Sequence, residues 1–582
     1  MSLVNIKING MPVQVEAGTS VLAAAREVGI DIPTLCYLKD VNEIGACRIC
    51  VVEVKGQKNL PAACVTPVYE GMEILTNSKR VFEARRMNLE LILSTHKKKC
   101  LSCIRSGNCE LQKMCKDFRI YDENYYAGNN MEWPVDDTAV HMIRDNNKCV
   151  LCRRCVAVCE KTQGISCIGA NERGLETHIG CAFEQTLGES SCVSCGQCIV
   201  VCPTAAITEK DESAKVWAAI NDPTKVVVAQ TAPSIRVTLG EAFGMPLGTN
   251  VEGKMVTALR RLGFDKVFDT DFAADLTIME EATEFVHRVK EGGPLPLITS
   301  CSPGWVKYCE TFYPEFIPNI SSCKSPQQMF GAITKTYYAE KIGIDPKDIF
   351  VVGIMPCTAK KFEVGRDDQC AAGEGIHDVD VALTTRELAR MIDRANIDFT
   401  RLPDEEFDSP LGLSTGASTI FGVTGGVMEA ALRTAAEWVT GEELKEVEFA
   451  DVRGPQGVKK ATYKLGDLEL KVAVASGLKN AKKLLEDVKS GEEIHFIEIM
   501  GCPGGCINGG GQPVQPAVVR NFEDFIGKRG MALYSDDAKD VIRKSHENPD
   551  IKKLYEEFLG EPGSHKAHEI LHTSYVARPN NY

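Results

Sequence analysis

Apolar residues occupy every second position of "VNIKINGMPVQVEAG", on both sides of Asn9-Gly10. That alternation predicts a two-stranded hairpin closed by a tight turn. In "GTSVLAAAREVGI" the spacing becomes helical, with Thr19 or Ser20 as N-cap. "SKRVFEARRMNLELILSTH" predicts a second, amphipathic helix. From about residue 211 the texture changes. "PTKVVVAQTAPSIR", "PLPLITSCSPGW", "DIFVVGIMPC" and "IHFIEIMGC" hold apolar runs too short for helices, and the last three end at a cysteine. Helical spacing separates them in "FAADLTIMEEATEFVHRVKEG" and "SPQQMFGAITKTYYAEKIG". Strands alternating with helices predict an α/β region with parallel strands, whose functional groups gather beyond the strands' carboxyl ends.

Composition narrows the partners. The 582 residues carry a formal charge of −14, which disfavours nucleic acid and anionic membrane surfaces. No apolar run approaches the roughly 18 residues that span a bilayer. The opening "MSLVNIKING" lacks a secretory pattern. A cytoplasmic protein without a membrane span is expected. No Gly-x-Gly-x-x-Gly opens a helix after a strand and no Walker-type lysine loop occurs, so no nucleotide site is expected in the chain itself.

The 25 cysteines change the picture. Clustered thiols in a reducing compartment more often bind metal than form disulfides. Cys36, Cys47, Cys50 and Cys64 read C-x10-C-x2-C-x13-C behind the hairpin and first helix. The combination resembles a plant-type ferredoxin module that holds a 2Fe–2S cluster, with a zinc site as the alternative. Its first gap is closer to that of related domains in complex I-type and hydrogenase subunits. His96, Cys100, Cys103 and Cys109 read H-x3-C-x2-C-x5-C, a 4Fe–4S ligand set in which imidazole replaces one thiolate. An internal repeat follows: Cys149, Cys152, Cys155, Cys159, then Cys192, Cys195, Cys198, Cys202, each C-x2-C-x2-C-x3-C. This is the bacterial two-cluster ferredoxin signature, in which the fourth cysteine of each run serves the other cluster.

"TSCSPGW", "MPCTAKKFE" and "EIMGCPGGCINGGGQP" resemble the three signatures of the iron-only (FeFe) hydrogenases, and the upstream iron–sulfur modules match the larger members of that family. The resemblance implies a multidomain α+β and α/β protein. Its parts are a plant-type ferredoxin domain over 1–78, a His/Cys iron–sulfur domain over 79–135 and a two-cluster ferredoxin domain over 136–210, followed by a catalytic α/β domain over 211–560 and a C-terminal tail over 561–582. It implies an H-cluster, in which a 4Fe–4S cubane is joined to a diiron unit carrying CO, cyanide and azadithiolate. Three accessory 4Fe–4S clusters and one 2Fe–2S cluster complete the set. Cys357 and Cys502 are similar to the cubane ligands and Cys506 to the bridging one. Lys360 is similar to the residue that meets a cyanide, and Pro233, Ser234, Gln327, Met355 and Met500 to the rest of the diiron pocket. The glycine run after Cys506 would let backbone approach the cofactor.

Glu281, Glu284, Arg288 and Ser321 match the family's proton path, the two glutamates lying i, i+3 on one helix face. One doublet departs from the pattern. Family members pair two cysteines, the first a proton donor and the second a cubane ligand; here the pair is Cys301-Ser302. Without a gap, Cys301 falls on the donor and Ser302 on the ligand. Alkoxide is a hard, basic ligand for iron–sulfur, so Cys301 is assigned to the cubane, with Ser302 or water in the relay.

The implied activity is reversible H2 oxidation and proton reduction in an anaerobic setting. The expected role is the catalytic subunit of an NAD(P)-linked, electron-bifurcating complex with flavin/NAD(P)-binding and iron–sulfur partner subunits. Ferredoxin is a further carrier, and hydrogenase maturases install the diiron unit. A single-chain ferredoxin hydrogenase is the alternative. An electron-transfer or iron–sulfur assembly protein without the diiron unit, or an H2 sensor, stands as another class.

Overall fold

The structure is a computed structural model and describes residues 2–121, 130–444, 446–465 and 468–581. Positions 122–129 of the expected His/Cys domain lie outside the described residues. The N-terminal hairpin pairs β1 (Leu3–Ile8) with β2 (Met11–Glu16), Val4 opposite Val15 and Ile6 opposite Val13. Asn9 and Gly10 both have positive φ (49° and 84°), as a two-residue turn matched to strand twist requires. β3 (Glu53–Val54) and β4 (Glu73–Leu75) extend the sheet in the order β2-β1-β4-β3. The Ser20 hydroxyl caps the helix Val21–Glu27 by accepting the Ala23 amide. The helix Lys79–Ser94 buries Val81, Arg85, Leu89 and Leu93, and Arg85 donates to the Val51 carbonyl at 2.8 Å.

The two cysteine runs share one small domain. There β5 (Met142–Arg144) pairs antiparallel with β8 (Ile207–Glu209), while β6 (Gly169–Asn171) and β7 (His178–Gly180) form a hairpin in the insert. The large domain holds two four-stranded sheets. β9 (Val226–Thr231), β10 (Lys266–Asp269), β12 (Ile349–Met355) and β13 (Val381–Thr384) make the first, in the order β10-β9-β12-β13 and parallel throughout. The second runs β11-β16-β15-β14: β11 (Leu297–Ile298), β16 (Phe496–Met500) and β15 (Leu468–Ser476) are parallel, and β14 (Val458–Leu465) is an antiparallel edge. The helix Thr270–Glu291 packs on Pro326–Ile333 and Gly426–Thr440. The segment expected as a tail from 561 is instead built in. Its helix His565–Leu571 buries Ala567, Ile570 and Leu571, and Arg578 pairs with buried Glu310 at 2.5 Å. Among the described residues no helix is long and apolar enough to cross a membrane.

Buried hydrogen bonds seat the two-cluster domain on the catalytic one. Gln163 donates to the Gly501 carbonyl and accepts the Leu478 amide, both at 3.0 Å. Gln197 donates to the Asn508 carbonyl at 2.8 Å, and Thr358 to the Ser194 carbonyl at 2.8 Å. Gln163→Ala leaves a buried donor and a buried acceptor without partners, so it is expected to destabilise the chain by about 2–4 kcal/mol. Denaturant unfolding of the variant checks this, and an unchanged midpoint would show that the contact carries no stability.

Candidate active site

The site lies where both sheets present strand ends. Cys357 follows β12, Cys502 follows β16, and Cys301 and Ser302 follow β11 on the turn into the helix Pro303–Phe312. With Cys506 they line one cavity, whose wall is overwhelmingly apolar. Pro233, Gln327, Met355, Met500 and Lys360 share that wall, as expected from the sequence. Thr270, Ala274 and Phe421 belong to it as well and carried no motif. Ser234 does not line it; its hydroxyl accepts from Gln512, which also donates to the Cys506 carbonyl.

All four cysteines are free of disulfides. Burial pushes Cys357 and Cys502 above the ordinary thiol value and Cys506 up to about 12. Three thiols turned toward one another in so apolar a space fit a metal cluster, which would take them as thiolates. The glycine run serves loop packing. A Cβ at Gly509 would lie 2.2 Å from the Pro356 carbonyl oxygen, and one at Gly510 would lie 2.3 Å from that of Cys195. The run thereby wedges the Cys506 loop between the Cys357 loop and the second cysteine run.

Lys360 is buried and held. Its Nζ donates to Ser325 Oγ at 2.8 Å and to Glu363 Oε2 at 2.9 Å. Ser325 and Gln327 donate to the same carboxylate oxygen. Glu363 and Ser325 were missed from the sequence; Glu363 was reachable by its i, i+3 offset from Lys360, Ser325 only through the fold. Gln327 Oε1 is buried without a hydrogen-bond partner among the described residues.

The residues expected in a proton relay lie on Thr270–Glu291 and the loop beside it. Ser321 Oγ donates to Glu284 Oε2 at 2.9 Å, and Arg288 to Glu284 Oε1 at 2.6 Å. Arg288 is fixed by the carbonyls of Pro294, Pro318, Asn319 and Ile320. Glu281 is buried, and desolvation, reinforced by Glu284, raises its carboxyl to about 8. The doublet splits. Burial and then the Glu281 charge push the Cys301 thiol up, with Cys506 a smaller contributor. Ser302 Oγ accepts the Gly501 amide at 3.2 Å, next to Cys502.

The accessory cysteines gather as the repeat demands. Cys149, Cys152, Cys155 and Cys202 line one small cavity. Burial pushes Cys198 up, with Cys195, Cys192, Cys155 and Cys159 adding to it. Cys502 of the catalytic site adds in the same way to Cys195. Near the N-terminus, Cys50 Sγ lies 3.3 Å from Cys64 Sγ, and Cys36 is hydrogen-bonded to Cys47. Burial lowers the His96 pKa, and its Nδ1 is buried without a partner among the described residues, as suits a neutral imidazole awaiting a metal.

The C-terminal domain of the iron-only hydrogenase large subunit matches residues 225–510, and the iron hydrogenase small subunit matches 523–578. Upstream, a 2Fe-2S iron-sulfur cluster binding domain matches 2–79, the NADH-ubiquinone oxidoreductase-G iron-sulfur binding region 85–123 and a 4Fe-4S binding domain 187–208. NADP-reducing hydrogenase subunit HndD of Solidesulfovibrio fructosivorans is 51% identical over 99% of this chain and 100% of that protein. The chain belongs to the iron-only hydrogenase family. Iron hydrogenase 1 of Clostridium pasteurianum is 44% identical over 98% of this chain and 99% of that protein. The solved structure of the [FeFe]-hydrogenase HydA1 from Chlamydomonas reinhardtii covers 64% of this chain and 100% of its own, at 43% identity and a TM-score of 0.57. The protein is thus an FeFe hydrogenase of multidomain, mixed α/β build, and its N-terminal extension carries iron–sulfur domains of both the 2Fe–2S and the 4Fe–4S kind.

In this hydrogenase a carboxyl held above its ordinary value of 4.5 binds its proton more tightly in the folded state. Its contribution to stability is complete below about pH 4.5 and is lost as pH rises through about 8. Glu281 is therefore expected to remain a proton donor up to about pH 8. H2 evolution should decline above that pH, and Glu281→Gln should lower it by about 10²–10⁴-fold and flatten that limb of the profile. A variant that keeps the wild-type rate and profile would remove Glu281 from the relay.

Proposed function

We propose that the chain is the catalytic subunit of an NAD(P)-linked hydrogenase complex, exchanging electrons between H2 and a flavin-containing partner. The observation that carries this is the end-to-end identity of 51% with an NADP-reducing hydrogenase subunit, N-terminal extension included. A hydride on a nicotinamide carries two electrons, whereas iron–sulfur clusters pass one at a time, so a flavin is needed between them. The chain has no nucleotide motif, which assigns that flavin to a partner subunit. Ferredoxin as a second carrier would make the complex bifurcating. The 44% identity with Iron hydrogenase 1 over 98% of the chain supports a stand-alone ferredoxin hydrogenase as the second reading.

When bound, the H-cluster supplies the two-electron exchange between H2 and two protons. Cys357, Cys502 and Cys506 would hold it. Lys360, pinned by Glu363 and Ser325, presents a fixed positive charge to it. Maturases would load the diiron unit through the cavity. Four accessory clusters would form the conductor. Cys36, Cys47, Cys50 and Cys64 hold the 2Fe–2S cluster; His96, Cys100, Cys103 and Cys109 hold the first 4Fe–4S cluster. Cys149, Cys152, Cys155 and Cys202 hold the next, and Cys192, Cys195, Cys198 and Cys159 the one nearest the active site. Protons would travel through Arg288, Glu284, Ser321 and Glu281.

The surroundings of the doublet support the ungapped reading over the assignment made from ligand preference. The Glu281 charge acts on Cys301, and Ser302 accepts the Gly501 amide next to Cys502. Cys301 is therefore the relay thiol that hands the proton between Glu281 and the cavity, and Ser302 occupies the fourth position around the cubane. Cys301→Ala is expected to lower H2 turnover by about 10²–10⁴-fold while leaving the iron content of protein made without maturases unchanged. Loss of that iron would return Cys301 to the cubane. Affinity purification of the chain from its native host is expected to bring down a flavoprotein that confers NAD(P)H-dependent H2 evolution. Turnover with NAD(P)H by the chain alone would contradict the assignment of the nucleotide to a partner.

A further inference from the structure

An open cleft separates the N-terminal ferredoxin domain from the two-cluster domain, and neither the catalytic site nor the core uses it. One wall is the Ile44–Arg48 stretch, which carries Cys47; the other runs from Val150 to Lys161, starting beside Cys149. The helix Lys79–Ser94 contributes Leu91 to the floor. The cleft is open to solvent, with polar and apolar lining in nearly equal parts. Two redox modules therefore reach solvent at one place.

The charge there opposes that of the chain. Against a total of −14, the cleft displays Arg48, Arg153 and Lys161 with Glu160 as its one acidic residue. All three cations are exposed, and none has an ion pair among the described residues. They are also set in place. Arg48 and Arg153 both stand at positive φ (56° and 59°). Arg48 donates to the Leu60 carbonyl at 2.9 Å, while its own carbonyl accepts from Asn88 at 2.8 Å. Lys161 reaches across to the Val41 carbonyl at 2.8 Å. Between the cations Ile44 and Leu91 are exposed at 43% and 49%, an apolar spot too small for a subunit interface.

We propose that this cleft is the docking surface for a small acidic iron–sulfur electron carrier, which delivers electrons beside Cys47 and Cys149. The proposal rests on the hydrogenase reading and deepens it by naming where a carrier binds. Permanent subunit interfaces bury about 2,000 Å² or more and are hydrophobic, whereas transient redox encounters are smaller and polar. A basic rim around a small apolar spot fits the second kind. Unpaired cations steer an anionic partner and set the on-rate, an effect that salt screens.

The test uses the holoenzyme and an acidic bacterial-type two-cluster ferredoxin as electron donor. The triple variant Arg48→Glu, Arg153→Glu, Lys161→Glu is expected to raise the KM for reduced ferredoxin at least about tenfold and to flatten its salt dependence. H2 evolution from reduced methyl viologen should remain at the wild-type rate, because that dye needs no docking site; this arm separates the surface from the hydrogenase reading. A second measurement needs no variant. Carbodiimide coupling of wild-type enzyme to ferredoxin is expected to link ferredoxin carboxylates to Lys161. An unchanged ferredoxin KM in the variant, or cross-links confined to lysines outside the cleft, would overturn the proposal. So would loss of a copurifying subunit with ferredoxin kinetics intact, which would make the cleft a subunit interface.

Discussion

A thiolate taken from water into an apolar cavity loses several kcal/mol of solvation unless a cation meets it there. Cys357, Cys502 and Cys506 share such a cavity, and burial holds all three as thiols. The surrounding fold can be read as the means of imposing this. Two sheets end at the same place, so two strand ends far apart in sequence deliver the thiols, β12 giving Cys357 and β16 giving Cys502 and Cys506. The glycines after Cys506 let backbone close to van der Waals contact and keep the loops from parting. A metal cluster resolves the conflict by taking the protons' place. The cavity is thus built at a cost in stability that only its occupant offsets.

The same electrostatics organise what lies around the cavity. Lys360 would be costly if buried alone, and Glu363 answers it at 2.9 Å, with Ser325 and Gln327 donating to the same carboxylate oxygen. Glu281, without a cation against it, keeps its proton to about pH 8 and so can donate. Glu284, by contrast, has Arg288 at 2.6 Å. Two carboxyls one helical turn apart are thereby given different tasks by their neighbours. On the other flank Cys195 stands close enough to Cys502 for each charge to act on the other. The innermost accessory cluster would adjoin the catalytic cubane, and the hydrogen bonds of Gln163, Gln197 and Thr358 fix that separation.

Much of this was legible in the chain because it is local. The Asn9-Gly10 turn, the Ser20 cap and the cysteine spacings are short-range patterns, and the turn and the cap appear as expected. The apolar runs ending at Cys301, Cys357 and Cys502 marked the strand ends before any sheet was known, although β11 is only two residues long. What was not legible depends on distant segments. Ser325 reaches Lys360 from 35 residues away in the chain, and nothing near it signals that contact. Ser234 follows Pro233 in the motif but turns toward Gln512, a partner 278 residues on. The stretch after 561 read as a tail because its helix is short, yet its apolar side complements a core formed elsewhere. The doublet is the sharpest case. Ligand preference argued for Cys301 at the cubane, whereas the proposed relay role rests on the Glu281 charge acting on Cys301 and on the Ser302–Gly501 hydrogen bond, both set by segments distant in the chain.

The central claim is that Cys357, Cys502 and Cys506 anchor a cubane bearing a diiron unit inside this cavity. Infrared spectroscopy of the chain produced together with the maturases tests it most directly. Sharp bands from iron-bound CO and cyanide in the wild type, absent from Cys506→Ala of equal fold and equal accessory-cluster content, are the predicted result. A wild-type spectrum without those bands, from protein carrying its full complement of ordinary iron–sulfur clusters, would contradict it.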